Sequence, residues 1–195
     1  HNVIGDSFRN NTIFNENDFA DNQIAANFTN NLFICGSFNN NIIGDNFYNT
    51  RIFNNSDFAD NIIGVGFNNN IIYNSFNDNK IGNGFDDNII NGEFVDNAIG
   101  NYINNNSVYN PLLNNTIANN FNNNVIYLAF YENSININFQ DNTIGHYGDI
   151  DSSVTGNNGQ LTFWRNRIGN NFENNIIRRE FQNNQIGTKF NSNIL

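Results

Sequence analysis

Large apolar residues recur along almost the whole chain at alternating steps of four and five residues. The series opens with Ile4, Phe8, Ile13, Phe19, Ile24, Phe28, Ile34 and Phe38, and it keeps this rhythm as far as Ile144. It resumes at Phe163 and runs to Phe190. The unit is nine residues, close to N-x-I-x-x-x-F-x-x. A short period kept over a whole chain is typical of a solenoid or a fibre.

The residue after each Ile belongs to two alternating classes, which doubles the repeat. It is small at Gly44, Gly64 and Gly82, and it is aromatic at Phe53 and Tyr73. The true repeat is therefore two units, about 18 residues, and it stretches to about 20 where a residue is inserted.

Neither a helix nor one long strand fits this spacing. A mean step of about 4.5 residues does not keep to one face of a helix with 3.6 residues per turn, and a long strand needs period two. Short strands joined by corners fit, with Ile and Phe pointing into each coil. We therefore predict an all-β fold, a parallel β-solenoid of about 18–20 residues per coil made of two nine-residue half-coils. About eleven coils at about 4.8 Å each would form a stack about 50 Å long.

Other solenoid classes constrain the cross-section. A hexapeptide β-helix needs an aliphatic residue every six positions, and a calcium-binding β-roll needs G-G-x-G-x-D turns, so neither matches. Pentapeptide-repeat coils, with four faces and an inward Leu or Phe every five residues, come closer. We expect a four-cornered or flattened coil, with its hand left open.

Asn makes up 54 of the 195 residues, and its position is as regular as that of the apolar residues. Asn stands two residues before most of the Ile positions, so both side chains point into the coil. A buried amide needs partners, and identical amides stacked in register can bond to one another. We predict a structural ladder rather than a ligand site, and its members include Asn61, Asn70, Asn79, Asn88, Asn97, Asn115 and Asn124.

The rhythm breaks once, at residues 146–162, and then continues in phase. We therefore predict one solenoid array over residues 1–195, interrupted by a loop insertion at 146–162. His146, Asp149 and Ser152 lie close together there, but triads are assembled by the fold and not by adjacency. The Asp149 and Asp151 pair lacks further metal ligands. We predict a plain surface loop or capping hairpin, no catalytic residues, no metal site, no cofactor and no enzymatic activity.

A set of aromatic residues should point outward, and it is the candidate ligand or assembly face. Its members are Phe14, Phe53, Tyr73, Tyr109 and Tyr127, with Trp164 after the insertion. Flat rings could stack on sugars, form a seam with another chain, or simply stack on each other. Outward Ile side chains suggest an assembly face as well, at Ile42, Ile62, Ile71, Ile89 and Ile176.

The charge balance argues against two classes of partner. Eight Lys and Arg face 18 Asp and Glu, which gives a formal net charge of −10. Nucleic acids and anionic membrane surfaces both bind basic faces, so neither is expected as a partner. No run of 18 apolar residues is present, so no membrane insertion is expected either. Cys35 is the single cysteine and allows no disulfide within the chain.

Several segments resemble a known class of fibre repeat. They are NNNIIGDNF at 39–47, NTIG at 142–145, RIGNNFENNII at 167–177 and NQIGTKF at 184–190. These resemble the Asn-rich NTIGNxF-type repeats of bacteriophage virion fibres, particularly of phages of gut and aquatic Bacteroidetes, and of giant surface proteins of AT-rich microbes. The chain departs from the pattern at 101–116, where Ile103, Val108 and Leu112 replace the Phe and Ile rhythm.

The resemblance implies an extracellular fibre or adhesion role and carries over no catalytic residue. We expect a structural repeat segment of an extracellular or virion fibre, located outside the cell or on the virion surface. Self-association is the expected partnership, as a homo-oligomer or as an end-to-end filament. The alternative is an adhesin module that binds a glycan or receptor through the aromatic set or the 146–162 loop.

Overall fold

The computed structural model is all-β, as predicted, and it describes residues 2–14, 17–54, 57–145, 163–178 and 181–195. These residues form three parallel sheets and contain no helix. Within these ranges there is accordingly no helix that is long and apolar enough to cross a membrane.

Each coil contributes four short strands, and we number the four faces of the solenoid in chain order. Faces 1 and 3 carry the Ile strands, and faces 2 and 4 carry the Phe strands. Faces 3 and 4 are separate nine-stranded sheets, which gives nine coils, and a partial tenth coil follows. Faces 1 and 2 belong to one 16-stranded sheet because three seven-residue strands run around the corner between them.

The strand bounds follow the repeat. Face 1 contains Val3–Ile4, Gln23–Ile24, Ile42–Ile43, Ile62–Ile63, Lys80–Ile81, Ala98–Ile99 and Gln185–Ile186. Face 2 contains Phe28–Thr29, Phe47–Tyr48, Phe67–Asn68, Phe85–Asp86, Ile103–Asn104 and Phe190–Asn191. The strands shared by faces 1 and 2 are Thr116–Asn122, Ser134–Gln140 and Arg167–Glu173.

Faces 3 and 4 complete each coil. Face 3 contains Thr12–Phe14, Leu32–Cys35, Arg51–Asn54, Ile71–Ile72, Ile89–Ile90, Ser107–Val108, Val125–Ile126, Thr143–Ile144 and Ile176–Ile177. Face 4 contains Phe19–Ala20, Phe38–Asn39, Phe58–Ala59, Phe76–Asn77, Phe94–Val95, Leu112–Leu113, Phe130–Tyr131, Phe163–Trp164 and Phe181–Gln182.

Like side chains stack on like side chains throughout the core, which confirms the predicted ladders. Phe58 pairs in register with Phe76, and their ring centroids are 4.9 Å apart with the planes 8° from parallel. Phe67 of face 2 meets Phe76 edge-on across the core at 5.6 Å. Stacked and edge-to-face rings are the two favourable arrangements of aromatic pairs, so each Phe is stabilised both along and across the solenoid.

One position of the predicted core was wrong. The inward side chain of the second coil on face 3 is Phe33, which is completely buried, whereas Ile34 points outward and is 40% exposed. Phe33 lies in register with Ile13 and Ile52. The sequence offers two adjacent large apolar residues here, and only the register of the neighbouring coils decides between them.

The irregular segment 101–116 is a normal coil. Ile103, Val108 and Leu112 fill the inward positions and are each 2% exposed. Because Ile and Leu are smaller than Phe, a small cavity of about 10 Å³ remains beside them. The departure from the repeat therefore changes the packing locally and does not interrupt the array.

The stack has fewer coils than the eleven that division by 18 suggests. The first three steps between equivalent ladder residues span 20, 19 and 20 residues, later ones span 18, and the coil holding the insertion spans 33. Nine coils at about 4.8 Å each give a rod about 43 Å long.

The predicted Asn ladder is present, as two ladders at two corners of the coil. The first stands before face 1 and includes Asn61, Asn79, Asn97 and Asn115; the second stands before face 3 and includes Asn70, Asn88, Asn106 and Asn124. All eight side chains are buried, at 0–2% exposure.

Each ladder amide satisfies backbone groups that the corner leaves unpaired. The Oδ1 of Asn97 accepts from both the backbone N–H and the Nδ2 of Asn79, at 3.0 and 3.1 Å. The Nδ2 of Asn97 donates to Asn115 Oδ1 and to the carbonyl of Phe76. Buried polar groups must be paired, and the Asn97 side chain pairs groups in the coil before it and in the coil after it.

From Asn11 onward, a left-handed residue precedes each ladder position, with φ between 51° and 59°. Asn and Asp occupy all but three of these sites because they tolerate this conformation better than other residues with a side chain. The set is Asn10, Asp21, Asn30, Asn40, Asn49, Asp60, Asn69, Asp78, Asp87, Asp96, Asn105, Asn114, Asn123, Glu132, Asp141, Arg165, Asn174, Asn183 and Ser192. The high Asn content thus serves two structural roles, the ladder and the corner before it.

Thr50 is a natural variant of the ladder and provides a test of it. Its Oγ1 accepts from the Asn31 N–H at 3.5 Å and donates to the Tyr48 carbonyl at 3.3 Å. It has no amide to reach the previous coil. We expect Thr50→Asn to raise the free energy of unfolding by about 1–2 kcal/mol, through added bonds from Asn31 Nδ2 and to the preceding coil.

The reverse change, Asn97→Thr, should lower the free energy of unfolding by about 1–3 kcal/mol because it leaves buried groups unpaired. Asn136→Thr is the matched control, since Asn136 is exposed and makes one solvent-exposed amide contact with Asn119. Chemical denaturation measures all three. Equal effects of Asn97→Thr and Asn136→Thr would contradict a stabilising ladder.

Candidate functional site

Face 3 presents two outward rows that together contain many of the exposed aromatic and aliphatic side chains. The aromatic row follows the inward residue of each strand and consists of Phe14, Ile34, Phe53, Tyr73, Asn91, Tyr109, Tyr127, Gly145 and Arg178. The aliphatic row precedes the inward residue and consists of Thr12, Leu32, Arg51, Ile71, Ile89, Ser107, Val125, Thr143 and Ile176. Alternation along a strand directs both rows outward, and of their members only Gly145 is buried.

Five of the six predicted face residues, the two Phe and three Tyr, lie in the aromatic row. The rings of Phe53 and Tyr73 stack with centroids 4.0 Å apart, and those of Tyr109 and Tyr127 stack at 4.3 Å. Phe14 is the most exposed of them, at 73%. Ile34 continues the row between Phe14 and Phe53, whereas its spacing had predicted an inward position.

Trp164 does not belong to this row. It lies on face 4 in register with Tyr131 and Gln182, and the Arg165 guanidinium carbon sits 3.9 Å from its ring centroid. A cation over an indole face is an attractive contact. The predicted set is therefore split between two faces, because Trp164 follows an inward Phe and the others follow the inward residue of an Ile strand.

The predicted row of exposed Ile is also split. Ile42 and Ile62 lie on face 1, whereas Ile71, Ile89 and Ile176 lie in the aliphatic row of face 3. The two groups occupy opposite sides of a four-sided coil. Only the face 3 group adjoins the aromatic row.

The Gly and Ala residues that follow the inward Ile lie on face 1, where close packing between coils explains their small size. A Cβ on Gly82 would meet the backbone carbon of Gly64, one coil away, at 2.9 Å. Two shallow depressions of about 430 and 460 Å³ follow this row, and Thr116 and Ala118 line both. The glycines are therefore required by the close approach of successive coils.

Gly82→Ala should lower the free energy of unfolding by about 1–3 kcal/mol, since one coil would have to shift to admit the methyl group. Gly5→Ala is the control in the same row, because nothing lies within 4 Å of its Cβ position. Thermal unfolding compares the two variants. A Gly82→Ala protein as stable as Gly5→Ala would show that the coils do not approach this closely.

The corner between faces 3 and 4 carries the variation in coil length. The step from face 3 to face 4 is six residues at Ile13 to Phe19 and four at Ile72 to Phe76. The chain also leaves face 3 after Gly145 and re-enters at Phe163, so the predicted insertion 146–162 departs here. That segment, with His146, Asp149, Asp151 and Ser152, lies outside the described residues.

This corner lacks the features that hold the other three. Each of the other three contains a left-handed residue in every described coil, whereas here the only described one is Gly145. Neither Asn ladder passes through it. The number of residues at this corner can therefore change without breaking a ladder. For this physical reason the coils differ in length here, beside the aromatic row.

The outward rows of face 3 carry little charge, whereas the corners on either side of it carry carboxylates such as Asp87 and Glu93. Neither outward row of face 3 contains Asp or Glu, and Arg51 and Arg178 are their only charged members. A column of Asp60, Asp78 and Asp96 lies instead at the corner before face 1, one residue per coil. Partial burial and the charges of Asp60 and Asp96 raise the pKa of Asp78 above its ordinary value of 3.8.

The described residues show no cluster of three or more His, Cys, Asp or Glu that could bind a metal ion. Cys35 is buried, and burial followed by the charge of Asp18 raises the pKa of its thiol to about 11. Burial and a hydrogen bond with Tyr109 likewise raise the pKa of Tyr127. The chemistry that face 3 can offer is thus stacking and apolar contact.

No family model matches the chain, and neither a curated protein nor a solved structure matches it significantly. The function is therefore inferred from the geometry of this solenoid.

The raised pKa of Asp78 predicts a pH-dependent stability. A carboxyl with a higher pKa in the folded state destabilises the fold when ionised, and this penalty disappears as pH falls through the folded and then the unfolded pKa. Asp78→Asn should therefore raise the melting temperature at pH 7 and have little effect below pH 3.8. Asp141→Asn is the control. Asp141 holds the equivalent position at the corner before face 3, where its neighbours in the adjacent coils are the uncharged Asn123 and Asn174. A pH-independent gain at Asp78 would contradict this explanation.

Proposed function

We propose that this chain is a structural repeat segment of an extracellular or virion fibre, a rigid rod that associates with further copies. The observation that carries the proposal is the continuity of the ladders through nine coils. The amide ladder passes from Asn133 to Asn166 across the coil with the insertion, with the same donor and acceptor pattern as elsewhere. A chain in which each coil contacts only its neighbours behaves as a quasi-one-dimensional rod.

The surface is consistent with this role. A net charge of −10 opposes non-specific aggregation, so association with further copies requires a specific contact surface. The eight Lys and Arg leave few sites for trypsin-like proteases, and the ladder fixes the backbone of each coil at two corners. These features suit a spacer that bears mechanical load and is exposed to proteases.

Immunogold electron microscopy tests the location. Antibodies against the purified chain, applied to intact source cells or particles without permeabilisation, should decorate thin surface appendages. A second antibody against an internal protein controls for leakage. Labelling that appears only after permeabilisation would overturn the proposal.

A second candidate function is glycan binding, favoured by the stacked pairs Phe53–Tyr73 and Tyr109–Tyr127. Within each pair the inner ring faces cover each other, so a sugar ring could stack on the outer faces, such as those of Tyr73 and Tyr109 on either side of Asn91. Asn91 lies between the two pairs and could supply a hydrogen bond.

A glycan array followed by titration tests this candidate. Tyr73→Ala and Tyr109→Ala should each weaken binding of any hit about five- to twelvefold, since a stacked ring contributes about 1–1.5 kcal/mol. Tyr48→Ala is the control, because Tyr48 is similarly exposed on face 2. An array without hits, or equal loss with all three variants, would remove glycan binding by this row.

A further inference from the structure

We infer that face 3 holds a binding slot for a methylated ammonium group, between the rings of Tyr73 and Tyr109 and with Asn91 as its floor. The inference adds a ligand class to the aromatic row and does not depend on the proposed fibre role. The three residues occupy the same outward position in the fourth, fifth and sixth coils, because the backbone N–H of each donates to the inward residue of the preceding coil. The aromatic row therefore lacks a ring at the fifth coil, and a gap remains there.

The two rings that border the slot are each held from behind. Tyr73 stacks on Phe53 with centroids 4.0 Å apart and planes 16° from parallel, and Tyr109 stacks on Tyr127 at 4.3 Å and 9°. Rings that stack from coil to coil lie across the solenoid axis, so the free face of each Tyr is turned toward the fifth coil. Tyr73 and Tyr109 are 39% and 38% exposed. Two accessible ring faces therefore form opposite walls of the slot.

The height of the slot fits a compact group. Two coil steps of about 4.8 Å place the two ring centroids about 9.6 Å apart, and a guest at the centre lies within the distance of about 6 Å over which a ring attracts a cation. Carbon contacts of about 3.5–4 Å on each side leave about 2 Å for the thickness of the guest. A nitrogen that carries methyl groups fills this thickness, whereas a flat guanidinium or aromatic ring would contact one wall only.

Charge favours a cation as the guest. The fifth coil carries an exposed carboxylate on each side of face 3, Asp87 at the corner before it and Glu93 after it. Glu93 is two residues from Asn91, which is at most about 7 Å along an extended chain and less than the Debye length of about 8 Å at physiological ionic strength. A cation in the slot would therefore be attracted by the rings and by a nearby carboxylate.

These carboxylates are specific to the coil that has the slot. The equivalent positions of the fourth and sixth coils are uncharged and are Asn69, Ser75, Asn105 and Pro111. No Lys or Arg occurs in the segments that form face 3 and its corners in these three coils, which are 69–76, 87–94 and 105–112. The missing ring and the local negative charge thus coincide.

The remaining lining is compatible with methyl groups. Ile89 stands two residues before Asn91 on the same strand, so both side chains point outward and lie side by side. The Asn110 Nδ2 donates to the backbone carbonyl of Asn91 and ties the floor of the slot to the next coil. An aliphatic side chain beside the slot can contact the carbon chain that carries the ammonium group.

Isothermal titration calorimetry of the whole chain with choline tests the slot. The matched control is the analogue of choline with an uncharged tert-butyl group in place of the trimethylammonium group. Choline should bind saturably, and the analogue at least about fivefold more weakly, since each exposed ring contributes about a two- to fivefold preference for the cation. Equal binding of the two probes, or no saturable binding of choline, would overturn the inference.

Variants separate the slot from the rest of the surface. Tyr73→Ala and Tyr109→Ala should each weaken choline binding about two- to fivefold, while Tyr48→Ala on face 2 should not. Asn91→Tyr should abolish binding, because a third ring closes the slot and leaves both walls in place. Circular dichroism confirms that each variant is folded, and the two Ala variants decide should Asn91→Tyr not fold. Choline binding at wild-type affinity in folded Asn91→Tyr would refute the slot.

Salt dependence tests the role of the carboxylate. Glu93→Gln should weaken choline binding about two- to threefold at low ionic strength and have little effect at high ionic strength. Asp57→Asn is the control, because Asp57 holds the same position two coils earlier and is also exposed. Equal effects of the two substitutions at low ionic strength would contradict the selection of a cation by charge.

A peptide with one trimethyllysine, compared with the same peptide carrying unmodified lysine, distinguishes the sources of the group. Similar affinities for choline and the modified peptide assign the slot to a free small cation. Tighter binding of the modified peptide assigns it to a methylated side chain of a partner protein. Both results support the slot, whereas a preference for the unmodified peptide would overturn it.

Discussion

The amide side chain of the ladder Asn is the interaction on which this solenoid depends. At two corners of every coil the backbone turns away from the sheet ladders, and its N–H and C=O groups would be buried without partners, at a cost of about 1–3 kcal/mol each. One Asn side chain pairs such groups in the preceding coil, as Asn97 does for the Asn79 N–H and the Phe76 carbonyl, and it bonds to the amide of the next coil. Because the amide must sit directly over the next amide, the ladder sets the register of the whole stack. The Phe rows then stack at about 5 Å as a consequence.

The four corners are unequal, and this inequality connects the fold to its function. Two corners are held by a ladder Asn with a left-handed residue before it, and a third by a left-handed residue alone. The corner between faces 3 and 4 has neither ladder, and there the coil length varies. The coils therefore differ in length beside the aromatic row, while both ladders continue from coil to coil. The segment that tolerates change and the surface suited to contact lie side by side because the same corner is free of the ladder.

Every extended partner of face 3 must meet the same demand. A sugar chain, a fibre neighbour and a second copy must each match groups that repeat about every 4.8 Å along a straight line. A second copy of the chain meets this demand without further design, since it has the same spacing. The outward rows of face 3 carry no Asp or Glu, which favours apolar contact through these rows. Face 1 has a similar spacing, but its Gly row is consumed by contact between coils and offers few side chains to a partner.

The spacing of residues along the chain is sufficient to predict the solenoid, its coil length and most of its core. A 4/5 rhythm of Ile and Phe admits neither a helix nor a long strand, and an Asn at fixed spacing can be buried only in a ladder. The choice of Phe33 over Ile34, the number of coils and the left-handed corners were decided only by the tertiary structure. The tertiary structure also placed Trp164 on a different face from the other aromatic residues, and Ile42 on a different face from Ile71. The physical reason is that both half-coils share one nine-residue unit, so local spacing cannot say which side of the coil a residue faces. That is settled only when the coil closes and each residue stacks on its equivalent in the next turn.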